Sequence, residues 1–273
     1  MFRRRTSAAI TTAALLATGF TASAAHAEAA SASATGSTMT WITGAPKSVT
    51  EGARIAVRVR VAHPRRAITV RLQEWQQDIY GVTSWVTVRS QRVKGTARHA
   101  FEVVATVKNF EKYRSQVSYR GGGTATSRAR RVTVWRWISL MGYQPYYQTN
   151  GVILTPYLSF SMNGNEYLGW RADGAASSWE SRYTPGRHCK AFRGVLGVTD
   201  SSADGSTATI RLGTPAHSAI YTSPTLSPGM QTKVKVPLNR PYRFLIHADN
   251  TSPSGTVVYP AIGDPAFLCT GID

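Results

Sequence analysis

The chain has 273 residues, of which 42% are hydrophobic and 17% charged, and its 32 Lys and Arg against 14 Asp and Glu give a net charge of +18. The apolar fraction excludes a wholly disordered basic chain, and the length implies one or two domains. Two cysteines exclude a disulfide-dense scaffold or a cysteine-rich zinc site, and past the N-terminus no apolar run is long enough to span a bilayer.

Arg3, Arg4 and Arg5 precede a short apolar segment, Ala8 to Phe20, and Ala25-His26-Ala27 follows with small residues at both positions of an A-x-A cleavage site. This pattern predicts a secretory signal peptide over residues 1–27 and a flexible mature N-terminus over residues 28–39. The mature protein is therefore expected to be secreted and extracellular, without a transmembrane anchor. Gly271-Ile272-Asp273 carries no sorting motif, which points to release rather than wall attachment. In an oxidising compartment Cys189 and Cys269 are expected to form a disulfide. Closing a loop of about 80 residues would contribute about 4.5 kcal/mol in the chain-entropy model.

Charge divides the rest. Residues 40–135 hold 18 Lys and Arg against 5 Asp and Glu, a net of +13. Residues 136–273 hold 11 against 8, a net of +3. A boundary at Trp135–Trp137 without a Gly/Pro linker implies two domains in contact.

In the first unit, Ile55, Val57, Val59 and Val61 alternate with Arg54, Arg58 and Arg60, the period-2 pattern of a half-buried strand. Ile68, Val70 and Leu72 repeat it, with Thr69, Arg71 and Gln73 facing out. Further strands are predicted at Trp85–Val88, Phe101–Val107, Tyr113–Tyr119 and Val132–Val134, with turns at Gly95-Thr96 and Gly121-Gly122-Gly123. Arg128 and Arg130 share the parity of Val132 and are expected to precede the strand or sit at a bulge. About seven short strands in about 95 residues is the signature of an Ig-like β-sandwich. The runs Val70-Arg71-Leu72-Gln73, Trp85-Val86-Thr87-Val88 and Tyr113-Arg114 resemble the Ig-like modules of secreted proteins from high-GC bacteria.

The second unit, residues 137–273, is also β in pattern. Phe192, Gly194, Leu196 and Val198 alternate on one strand, Asp204-Gly205 is a turn, and Ala208, Ile210 and Leu212 lie on the next strand. Val234 and Val236 alternate with lysines, and Tyr242, Phe244, Ile246 and Ala248 follow. Strands punctuated by Pro and Gly over about 130 residues suggest a jelly-roll sandwich, so the whole is expected to be all-β.

Asn163-Gly164-Asn165-Glu166-Tyr167, Gly186-Arg187-His188-Cys189-Lys190-Ala191-Phe192, Gly194-Val195-Leu196-Gly197-Val198-Thr199-Asp200 and Ile220-Tyr221-Thr222-Ser223 occur in this order. Together they resemble the carbohydrate-binding module found beside family 98 glycoside hydrolases, a galactose-binding-like jelly roll. The likeness covers roughly residues 137–271. It departs at Gly213–His217 and at Val257–Ile262, the latter being the last loop, near the ligand end in related sandwiches. The resemblance implies a non-catalytic domain that binds a glycan or cell-wall polymer. The alternative is a structural or protein-interaction protein with a degenerate module and no sugar affinity.

Catalytic patterns are missing. No H-E-x-x-H pair, G-x-S-x-G elbow or G-x-x-x-x-G-K-[ST] loop is present, and the carboxylates Asp200, Asp204, Asp249 and Asp264 sit beside turn-forming residues. No enzyme activity and no cofactor are expected. Asp200 and Asp204 read as a hairpin turn, with a structural Ca²⁺ as the weaker alternative. Sugar binding needs exposed aromatic rings beside polar side chains. Candidates fall in two groups, one around Tyr143, Tyr146 and Tyr147, the other comprising Tyr167, Trp170, Arg171, Trp179 and Glu180. Trp170 and Trp179 flank an apparent loop and are favoured. In the first unit Arg54, Arg58, Arg60, Arg65, Arg66 and Arg71 form a candidate basic face for anionic polymers. No nucleic-acid recognition motif is visible, and the oligomeric state is open.

Overall fold

A computed structural model describes residues 39–106, 110–174, 176–215 and 219–271. The predicted signal peptide, nearly all of the predicted flexible N-terminus, and His217 lie outside the described residues. Period-2 alternation of apolar and polar side chains becomes strand almost throughout. The first half holds β1 (Thr40–Gly44), β2 (Ser48–Thr50), β3 (Arg54–Val61), β4 (Ala67–Gln77), β5 (Thr83–Arg92), β6 (Arg98–Val104), β7 (Phe110–Tyr119), β8 (Thr124–Thr126) and β9 (Arg130–Ser139). The second holds β10 (Tyr147–Gln148), β11 (Val152–Met162), β12 (Asn165–Ala172), β13 (Ser178–Tyr183), β14 (Cys189–Val198), β15 (Ala208–Gly213), β16 (Ala219–Thr222), β17 (Gln231–Pro237), β18 (Phe244–Asn250) and β19 (Pro260–Cys269). Among the described residues the one helical element is the 3-10 turn Leu140–Gly142. No helix among them is long and apolar enough to cross a membrane. The protein is an all-β sandwich structure.

Two cores lie along the chain. The first is held between the sheet β1-β3-β6 and the sheet containing β5, β4, β7 and β9. Ile55, Val57, Val59 and Val61 fill it from β3, and Val70, Leu72, Tyr113, Val117, Val132 and Val134 from the opposing strands. The second lies between β10-β13-β18-β15-β16 and a sheet containing β11, β12, β19, β14 and β17. Phe192, Phe244 and Phe267 meet at its centre with ring centroids 5.0–5.2 Å apart. Rings at these separations and inclined to one another gain edge-to-face attraction beyond their burial.

The strand β9 belongs to both halves. Its first residues pair with β7, from Arg130 opposite Tyr113 to Thr133 opposite Phe110. Its last residues pair with β19, from Arg136 opposite Cys269 to Ser139 opposite Ala266. One sheet therefore runs continuously from β11 to β5.

Several expected features differ in detail. Ile68 is 46% exposed rather than inward, and Ala67 is buried in its place. The pairing of β4 with β7 slips between Ala67 and Thr69, and such a slip reverses which side chain faces the core. Gln73 is buried rather than outward, next to a second slip against β5. It is satisfied by Arg114 Nε, which donates to its Oε1 at 2.7 Å. Tyr242 precedes β18 and is exposed, whereas Phe244, Ile246 and Ala248 are buried as expected. Arg128 precedes β9 as expected, whereas Arg130 is the first residue of the strand, paired with Tyr113 and exposed.

Cys189 and Cys269 are disulfide-bonded and stand opposite each other on the neighbouring strands β14 and β19, with Cα atoms 4.0 Å apart. Tyr143 covers the bond, with its hydroxyl 3.1 Å from Cys269 Sγ.

Candidate functional site

The outer face of the sheet β10-β13-β18-β15-β16 presents polar side chains in two rows. In one row Tyr147, Arg182, Leu245 and Gly213 are successive cross-strand partners. In the next, Glu180, His247 and Arg211 stand opposite one another. Their neighbours in sequence, Trp179, Ser181, Phe244, Ile246, Ala248 and Leu212, point into the core. The pleat thus exposes one set as it buries the other. Gly213 and its partner Ala219 have little or no side chain, and an open hollow of about 160 Å³ lies above them, lined also by Glu180, Arg182, Arg211, Leu245 and His247.

Charges in this hollow are mutually engaged. Arg182 Nε donates to Glu180 Oε1. His247 Nδ1 lies 3.4 Å from Glu180 Oε2, and its Nε2 lies 2.8 Å from Asp249 Oδ1. Arg211 approaches Asp249 at 3.6 Å. Arg182 also stacks on the Tyr147 ring at 4.6 Å, and Arg243 on Tyr146 at 4.8 Å. Tyr146 and Tyr147 are 43% and 45% exposed, so each ring keeps a free surface beside cation and carboxylate. Both imidazole nitrogens face carboxylates and both carboxylates face cations, so the cluster is one linked network of charged side chains. It can orient a polar ligand by hydrogen bonds.

The other sequence candidates go elsewhere. Trp170 and Trp179 are fully buried, which overturns their assignment as stacking platforms. Both are inward residues of their strands. Trp170 Nε1 donates to Ser181 Oγ across the core at 2.9 Å, and Trp179 lies against Gly151. Tyr167 is half-buried on the opposite sheet, where its ring covers Gly263 so closely that a Cβ there would fall 2.4 Å from it. Its hydroxyl donates to Gln231 at 2.8 Å. Arg171 is on the same sheet as Tyr167, 4.0 Å from Asp173. Of the ligand candidates, Tyr147 and Glu180 stand in the polar rows and Tyr146 borders them.

The basic face is divided. Arg54, Arg58 and Arg60 are exposed on β3, and Arg60 pairs across the sheet with Arg98. Arg54 is neutralised by Glu102 at 3.0 Å. Arg65 and Arg66 lie in the β3–β4 connection, and Arg71 projects from β4 in the opposing sheet, so the six do not form one surface. Asp200 is occupied as a turn clamp: its carboxylate accepts the backbone N–H groups of Asn163 (2.7 Å) and Gly164 (2.9 Å). Both residues have positive φ, the geometry an Asn-Gly hairpin turn requires. Among the described residues no His, Cys, Asp and Glu side chains gather as a metal site.

Sequence reading named Glu180 but missed Arg182, Arg211, His247 and Asp249. Their outward alternation, 180/182 and 245/247/249, is visible in the chain. The register that joins them across three strands is not.

No family model matches the chain, and no curated protein matches it. Among solved structures it is similar to the CBM51-2 and INT domains of Clostridium perfringens ZmpB in complex with GlcNAc, at 11% identity and a TM-score of 0.41. That match covers 59% of this chain and 37% of the ZmpB chain. It is also similar to CBM51 from Clostridium perfringens GH95 in complex with methyl-galactose, at 15% identity and a TM-score of 0.39, over 48% of this chain and 99% of that one. The SusE-like protein BT2857 matches at 9% identity and a TM-score of 0.31, over 84% and 96%.

Proposed function

We propose that this is a secreted, non-catalytic binding protein whose second half recognises a glycan through the outer face of β10-β13-β18-β15-β16. The observation that carries this reading is the pair of rows Tyr147–Arg182–Leu245 and Glu180–His247–Arg211 around a hollow floored by Gly213 and Ala219. A sugar presents hydroxyls that donate and accept, and a C–H face that packs on an aromatic ring. Carboxylates and guanidinium groups alternate here beside an exposed tyrosine, which suits both demands. The near balance of charge in the hollow favours a neutral sugar. The disulfide supports an oxidising compartment, in line with the predicted export.

The test is binding of the mature chain to insoluble polysaccharides and to a glycan array, with a salt titration. Binding of a neutral glycan that survives high salt is expected, since stacking and hydrogen bonds are screened little. Tyr147→Ala and Glu180→Gln should each weaken it by about tenfold. Failure of every neutral glycan to bind, or binding unaffected by both variants, would end this reading.

A second reading has one specific support. The tip of the β4–β5 hairpin exposes Ile79 (90%), Tyr80 (84%) and Val82 (61%). Exposed apolar side chains grouped in this way mark interaction surfaces. It predicts a protein partner whose capture is lost in Tyr80→Ser and retained in Tyr147→Ala.

A further inference from the structure

The two halves meet at β9, and alternation along that strand sorts its side chains. Val132 and Val134 enter the first core, and Ile138 packs on the second. Trp135 and Trp137 have the opposite parity and emerge on the other face of the continuous sheet, where Ala191 and Leu268 pack with them. Cations crowd that face. Lys190 Nζ lies 4.1 Å above the Trp135 ring, and Arg240 lies 5.5 Å from it. Arg193 and Lys235, cross-strand partners on β14 and β17, lie 4.4 and 5.7 Å from the Trp137 ring. Arg131 stacks on Phe110 at 3.8 Å.

Arg131, Arg187 and Arg240 open into a recess of about 480 Å³ floored by Trp135. Among the described residues none of Arg131, Arg187, Lys190, Arg193, Lys235 and Arg240 forms an ion pair with a described carboxylate. This contrasts with the sheet described above, where every cation of the hollow has an acidic partner. Desolvation, then Arg240 and Lys235 beside it, pull the Lys190 amine below the ordinary lysine value. Arg187 and Arg240 also hold left-handed backbone, with φ of 66° and 46°. Non-glycine residues adopt that region at a cost, and such residues cluster where geometry serves a ligand. Here the Arg187 N–H donates to Pro241 O at 3.2 Å, so the two loops are tied together with their guanidinium groups at one recess.

We infer that this seam is a binding site for an anionic polysaccharide, with the phosphate, sulfate or carboxylate groups of the polymer seated among Arg131, Arg187 and Arg240. Guanidinium forks match oxyanions in bidentate geometry, and unpaired cations on an aromatic floor gain most from an added anion. A polysaccharide fits better than single-stranded nucleic acid, because the indole faces that bases would need are already covered by cations. The site is independent of the glycan-binding face proposed above: it lies on the other sheet and calls for a charged ligand.

The experiment measures binding of the mature chain to heparin, as a sulfated polysaccharide, with dextran, inorganic phosphate, single-stranded DNA and anionic phospholipid vesicles as the other arms. Asn tolerates left-handed backbone, so Arg187→Asn and Arg240→Asn remove charge while keeping the loops. Heparin should bind at low salt, weaken steeply as salt rises, and change tryptophan emission, since Trp135 and Trp137 lie beneath the cations. The double variant should weaken binding by about tenfold and flatten the salt dependence by about two counterions, by analogy with polyanion release. Arg58→Gln with Arg60→Gln, on the distant β3 face, should leave it unchanged. Three results would each overturn the inference: no heparin binding at low salt; loss in the β3 variant with none in the seam variant; or DNA or vesicles bound as tightly as heparin. Competition by phosphate alone at concentrations matching heparin's charge would assign the site to a free anion and also overturn the polymer reading.

Discussion

Single side chains in this protein owe their roles to which way the pleat turns them. Trp170 and Trp179 look like exposed platforms in the sequence because they flank a loop, yet each occupies an inward position. Trp179→Ala is therefore expected to cost about 3–5 kcal/mol of stability by leaving a cavity, measured by denaturant unfolding. Any glycan binding lost in that variant should fall in step with the folded fraction. Asp200 illustrates the opposite case, a polar residue whose work is structural. Its carboxylate takes two backbone N–H groups of the β11–β12 turn, and Asp200→Ala leaves both without that partner. A loss of about 1–2 kcal/mol is expected, with bound calcium playing no part, so added chelator should leave the melting temperature of the parent protein unchanged.

At the scale of strands, the alternating runs were legible and their partners were not. The Val-Arg alternation of β3 and the Ala208, Ile210, Leu212 alternation of β15 appear in the chain as they do in the fold. Ile68 and Gln73 defeated the same reasoning, because a slip in pairing reverses the faces and leaves no mark in composition. The candidate site failed for a related reason. Glu180, His247 and Arg211 are separated by tens of residues and are joined only by the registers of β13, β18 and β15. The motif pieces Asn163-Gly164 and Asp200 carry the resemblance in the chain, but their physical link, a turn closed by a carboxylate from the segment after β14, is visible only in the fold. The seam cations were invisible for the same reason: Arg131, Arg187 and Arg240 lie far apart along the chain.

For the molecule as a whole, the decisive element is β9. Domains joined by exposed linkers move relative to one another by default. Here a charge boundary near Trp135 marks a change of composition, while the backbone hydrogen bonding continues through it. Thermal unfolding followed by tryptophan emission and by far-ultraviolet dichroism should accordingly give coincident single transitions. Replacing Cys189 and Cys269 together by Ala should lower stability by about 2–5 kcal/mol, because the bond ties β14 to the same strand, β19, that carries β9.

The shared strand also has a mechanical meaning. A tether held at one half and a load attached to the other would pull along a backbone flanked by ladders on both sides of the junction, so tension would be borne in shear by hydrogen bonds instead of by slack chain. Under load the two halves should yield together and not separate first at the junction.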